Sequence, residues 1–73
     1  MQYDQAVDYV KKNINGAYEQ AMMLKDMGII NDKSEIVAKI LKLLSIGYQR
    51  KTGDNLSPEA IAILKEKAEA MVK

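Results

Sequence analysis

Residues 3–27 read YDQAVDYVKKNINGAYEQAMMLKDM, and the placing of their apolar side chains decides the fold. Tyr3, Val7, Val10, Ile14, Ala17, Ala21 and Leu24 recur at alternating steps of four and three, without a slip. That spacing keeps one stripe along one side of an α-helix. A helix of roughly 25 residues is about 37 Å long at 1.5 Å per residue. The other two periodic segments are shorter and are expected to dock onto it.

Asn15-Gly16 is a turn signal inside this run. A turn there would throw the stripe out of phase, yet Ile14, Ala17, Ala21 and Leu24 stay in step. The reading is one continuous helix that tolerates a glycine at a cost of roughly 1 kcal/mol. A glycine kept at that cost predicts close approach of another backbone. Gly28 then stands where a left-handed residue ends the helix, and Ile29 is expected to pack back on Leu24.

Asn31-Asp32-Lys33-Ser34-Glu35 follows, with Asp32 and Glu35 at capping-box spacing and Ser34 a later alternative. The connection is short, so a second helix over 33–51 should run antiparallel to the first. Its apolar residues Ile36, Val37, Ile40, Leu41, Leu43, Leu44, Gly47 and Tyr48 span roughly 160° of the helix wheel. An arc that wide faces two neighbours and places this helix in the middle of a bundle. Gly53 is its expected left-handed terminator. A third helix over 57–72 starts cleanly, with Ser57 as N-cap, Pro58 at N1 and Glu59 near the positive helix end. Leu56 and Ile61 sit at hydrophobic-staple spacing. Ala60, Ile61, Leu64, Ala68, Met71 and Val72 form the buried stripe. The fold class is therefore all-α: a three-helix antiparallel bundle, one domain over 1–73, with the first helix overhanging the second by a turn or more.

A chain of 73 residues is near the lower limit at which a single core suffices. Cysteine and histidine are both absent, which removes disulfides, thiolate chemistry and the two commonest zinc ligands. Regular packing or self-association must supply the stability. No signal peptide and no run of about 18–20 apolar residues stands out, so a soluble, cytoplasmic protein is expected.

The same composition argues against an enzyme, because ordinary acid–base and nucleophilic catalysis leans on His, Cys or carboxylates in a cleft. The acids instead read as exposed partners of lysines: Asp8 with Lys12, Glu35 with Lys39, and Glu69 with Lys65. The glycines are too scattered for a phosphate loop. No catalytic residue, metal ligand or cofactor is assigned, and no small-molecule substrate is expected. Asn55-Leu56-Ser57 matches a glycosylation pattern, but Ser57 is already explained as a cap.

The net charge of +1 is small, although residues 32–51 carry five basic groups (Lys33, Lys39, Lys42, Arg50, Lys51) against Asp32 and Glu35. Lys39, Lys42 and Arg50 share the outer side of the second helix, a weak footprint for nucleic acid. A helix-turn-helix is disfavoured: Thr52 to Leu56 is long for its turn, and Glu59, Glu66 and Glu69 on the third helix would repel phosphate. The Ala38–Leu44 segment resembles a membrane-surface peptide, but a central core helix has the same pattern.

What the core leaves over carries more information. Ile46 falls among Lys39, Lys42 and Arg50, and Ile63 near Glu59 and Glu66. The first helix has a second in-phase row, Tyr9, Asn13, Gly16, Gln20, Met23 and Met27. Methionine adapts to irregular surfaces and recurs in binding faces. The row either widens the core arc or meets a protein partner or second copy of the chain. The expected function is a non-enzymatic protein–protein interaction module, such as a small adaptor, inhibitor or regulator, self-associating through this row, Ile46 and Ile63. The alternative is a nucleic-acid-binding regulator using the Lys-rich side of the second helix.

Overall fold

The computed structural model describes residues 4–72, which form α1 (Gln5–Asp26), α2 (Lys33–Thr52) and α3 (Pro58–Met71). The three helices pack against one another in an up–down–up bundle, each touching the other two. α1 packs most extensively against both neighbours, so it, and not α2, is the hub. It runs unbroken through Asn15-Gly16.

The start of α1 differs from the periodicity. The helix begins at Gln5, because Asp4 is extended (φ −104°, ψ 105°) and its Oδ1 accepts from the Ala6 and Val7 backbone N–H groups at 2.9 and 3.2 Å. Tyr3, the first member of the stripe, lies outside the described residues. Ala6 joins Val10, Ile14, Ala17 and Ala21 in the core, whereas Val7 and Leu24 are half-buried. The overhang also disappears: α1 has 22 residues and α2 has 20.

α1 ends in a Schellman arrangement. Gly28 is left-handed (φ 79°), its N–H donates to Lys25 O, and the Ile29 N–H donates to Leu24 O, both at 2.9 Å. The Ile29 side chain does not fold back as expected; it is 58% exposed, and Ile30 packs against the core instead. α2 opens with the capping box, in which Glu35 Oε1 accepts from the Asp32 N–H at 3.3 Å. It closes at left-handed Gly53 (φ 83°), and the Thr52 hydroxyl donates to Tyr48 O. The Ser57 cap of α3 accepts from the Ala60 N–H at 3.2 Å, and Leu56 before it is buried.

Among the described residues no polar side chain is buried. Ile36, Ile40, Leu44 and Tyr48 bring α2 into the core; Ala60, Leu64, Ala68 and Val72 bring in the α3 segment. Asp8 and Lys12 form an ion pair at 3.0 Å, the only one among the described residues. Glu35 is turned back to its helix start and does not meet Lys39. Lys65 precedes Glu69, the less favoured order for such a pair, and that pair does not close either.

The Ser57 hydroxyl also donates to Asp4 Oδ2 at 2.8 Å, so one carboxylate caps α1 and holds the cap of α3. This bond, with the Val7 and Ala6 amides, lowers the Asp4 pKa below the ordinary 3.8. A lowered carboxylate pKa gives stability that is complete above the unfolded value and lost as pH falls through the folded one. Stability should therefore drop below pH 3.8, and less steeply in Asp4→Asn, as read by denaturant midpoints across an acid series. Ser57→Ala should cost about 1–2 kcal/mol at neutral pH, since the cap and the bridge are lost together.

The glycines give a second expectation. No atom would meet a Cβ on Gly16 within 4 Å, so no neighbouring backbone of this chain approaches it. The close approach is at Gly47, where the Tyr9 hydroxyl occupies the space of a Cβ. Gly16→Ala should stabilise the monomer by about 0.5–1 kcal/mol through helix propensity. Gly47→Ala should fail to show that gain, because Tyr9 must move aside. Thermal melting at low protein concentration compares the two.

Candidate functional site

The second row of α1 divides into two parts. At its N-terminal end Tyr9 serves the fold: its ring lies 5.3 Å from the Tyr48 ring, tilted by 60°, with Lys51 Nζ 5.7 Å from its centroid. An ammonium near a tyrosine face and a tilted aromatic pair are both favourable contacts. Asn13 is exposed and bonds back to Tyr9 O at 2.8 Å. Gly16 and Gln20 are exposed beyond it.

At the other end Gln20, Met23 and Leu24 of α1 and its C-cap residue Met27 line a shallow groove of about 310 Å³ with Lys39 and Leu43 of α2. Met23 and Met27 are 62% and 69% exposed, the two largest values among the exposed large apolar side chains of the described residues, with Ile29 nearby at 58%. Ile46, exposed at 38%, lies one turn beyond Leu43 on the same flank of α2, extending the apolar strip. The structure thus gathers Gln20, Met23, Met27 and Ile46 onto one α1–α2 face. Ile63 is not part of it. It is half-buried, and its place on the helix wheel puts it on the α1 side of α3, on the opposite flank of α1.

The groove has a charged lip on each side. Glu19 and Asp26 lie on the outer side of α1, and Glu35, Lys39 and Lys42 on the outer side of α2; Asp8 and Lys12 line a separate depression at the Tyr9 end. Such a surface can bury apolar area and pair charges at its rim. Among the described residues no cluster of three metal-ligating acids is present, and no helix is long and apolar enough to cross a membrane.

One surface was not anticipated. Val37, Ala38 and Leu41 of α2, with Lys33, Lys65 and Glu69 around them, line a wider depression of about 550 Å³ between α2 and α3. The apolar arc of α2 hinted at it, being wider than its two neighbours cover. Val37 and Leu41 are nonetheless half-buried against the core, so little unburied apolar side chain remains there.

No family model, curated protein or solved structure matches this chain.

Met23 is exposed, whereas Ala21 two residues away has no exposed surface. Met23→Glu should leave the melting midpoint within the few tenths of a kcal/mol usual for surface changes, while Ala21→Leu should cost about 1–3 kcal/mol by overpacking. Thermal melts of the two variants against wild type check this.

Proposed function

We propose that the chain is a non-enzymatic protein-interaction module of the adaptor, inhibitor or regulator kind, acting in the cytoplasm, with the α1–α2 face as its binding surface. The observation that carries this reading is that Met23, Met27 and Ile46, three of the four exposed large apolar side chains among the described residues, share one flank with half-buried Leu43. Contiguous apolar surface rimmed by charge is the composition of a protein-binding site, with an apolar centre and a polar border. Flexible methionines at its centre suit it to a helix or loop of a partner.

The competing reading places a nucleic-acid backbone along Lys39, Lys42 and Arg50. Three phosphate contacts predict an affinity falling with salt at a logarithmic slope of about −2.7 for a duplex. Apolar contacts predict binding that persists as salt is raised.

The test compares wild type with Met23→Glu and Lys42→Glu as immobilised baits for cellular protein and for labelled duplex. On the protein-interaction reading a bound protein survives moderate salt and is lost with Met23→Glu, by about tenfold or more in affinity, the scale of a hot-spot loss. Duplex binding that vanishes with salt and with Lys42→Glu but ignores Met23→Glu would replace this reading with the other.

A further inference from the structure

At the N-terminal end of α1, Tyr9, Lys12 and Asn13 face Tyr48 and Lys51 of α2 across a polar depression of about 250 Å³. Its lining has donors to spare. The Asn13 amide already donates to Tyr9 O, and Asp8 is ion-paired with Lys12. Tyr48 is only 6% exposed, yet its hydroxyl makes no hydrogen bond with any described residue. A tyrosine hydroxyl this far inside a fold usually finds a partner. Among the described residues no unbonded side-chain oxygen or nitrogen is sealed from solvent, so this hydroxyl opens outward, where Tyr48 lines the depression. The Lys51 ammonium meets no carboxylate among those residues either; it rests 5.7 Å from the centroid of the Tyr9 ring. The Tyr48 ring is 5.3 Å from the same ring. A phenol and an ammonium, both donors without acceptors, therefore flank one tyrosine at one opening.

The charged members of the lining are Asp8, Lys12 and Lys51. With Asp8 paired to Lys12, one positive charge remains over, that of Lys51. A single negative charge balances it. A carboxylate has that charge, and its two oxygens accept from a phenol and an ammonium at once. A phosphate dianion would bring a second negative charge toward Asp8, which like-charge repulsion disfavours. The space equals the liquid volume of about eight water molecules, more than a bare carboxylate fills. The Tyr9 and Tyr48 rings offer a wall for a small organic body. We propose that this depression is a binding site for a small organic monocarboxylate, held by Tyr48 Oη and Lys51 Nζ. Two polar contacts at an open site place its dissociation constant at about millimolar. The site stands at the opposite end of α1 from Met23 and Met27 and does not depend on the reading of that face.

Benzoate is the probe, with benzamide as its uncharged analogue and inorganic phosphate as the competing anion. Titrated into wild type and followed by NMR, benzoate should give saturable shifts centred on Tyr9, Asn13, Tyr48 and Lys51, at about millimolar. Benzamide and phosphate should each bind about tenfold more weakly or not at all. Tyr48→Phe keeps the ring and removes only a hydroxyl that the chain leaves unbonded, so its melting temperature should match wild type. Benzoate affinity should nevertheless fall about tenfold, the scale of a lost hydrogen bond to a charged group. Lys51→Gln should weaken it as much. If Tyr48→Phe melts lower, Lys51→Gln, at an exposed position, decides alone. Several outcomes overturn the proposal: no saturation by concentrations on the order of tens of millimolar, benzamide or phosphate binding as tightly as benzoate, or benzoate affinity unchanged in Lys51→Gln. Met23→Glu should leave benzoate binding intact, so this site and the α1–α2 face stand or fall separately.

Discussion

The bundle depends on how closely α1 can approach two neighbours at once. With no cysteine or histidine, the chain has no disulfide to hold three helices together, and it relies on a core that is entirely apolar among the described residues. Five of the buried positions are alanines: Ala6, Ala17 and Ala21 on α1, Ala60 and Ala68 on α3. Small residues at a helix contact bring the axes toward the short end of the usual 8–10 Å range. The larger fully buried side chains, Val10, Ile36, Ile40 and Leu64, then fill the space between three closely spaced backbones. Enlarging one of those alanines would push a helix outward and loosen contacts along its whole length.

Close packing fixes distance but leaves helices free to slide, and the ends supply the register. Asp4 and Ser57 are 53 residues apart, yet their side chains share one hydrogen bond while each satisfies an orphan helix amide. α1 and α3 therefore begin at the same height. On the other side Tyr9, seated over Gly47 and against Tyr48, sets the height of α2 relative to α1. The proposed site inherits this precision.

Periodicity and caps made most of this legible. The alternating steps from Val7 to Leu24 identified the buried side of α1, and Gly28, Gly53, Asp32 and Ser57 marked helix ends by chemistry local to a few residues. Asp4 was missed because Tyr3 extended the stripe in phase, and phase alone does not reveal that a carboxylate one residue later caps the helix. Gly16 and Gly47 exchanged roles for a related reason. Both are helix-interior glycines, and only the neighbour's side chain, Tyr9, tells an open one from a crowded one. Ile46 and Ile63 looked alike on their separate wheels. A wheel gives an angle from the core and not which neighbour stands on which flank, so the separation of Ile63 from the α1 row required the assembled bundle.

The same distinction governs what the exposed apolar side chains mean. Single exposed apolar residues are ordinary, since polar surface is too scarce to cover a small domain. Ile29 alone, at the end of a Schellman turn, would carry no argument. Met23, Met27 and Ile46 differ because two elements that meet only through the fold place them together, beside half-buried Leu24 and Leu43. α1 already satisfies its packing with a complete buried stripe, so the core has no use for methionine at either position. Polar residues there would leave the bundle equally well folded. An apolar choice at positions the fold leaves free, repeated on both sides of one groove, is what supports the proposed binding face.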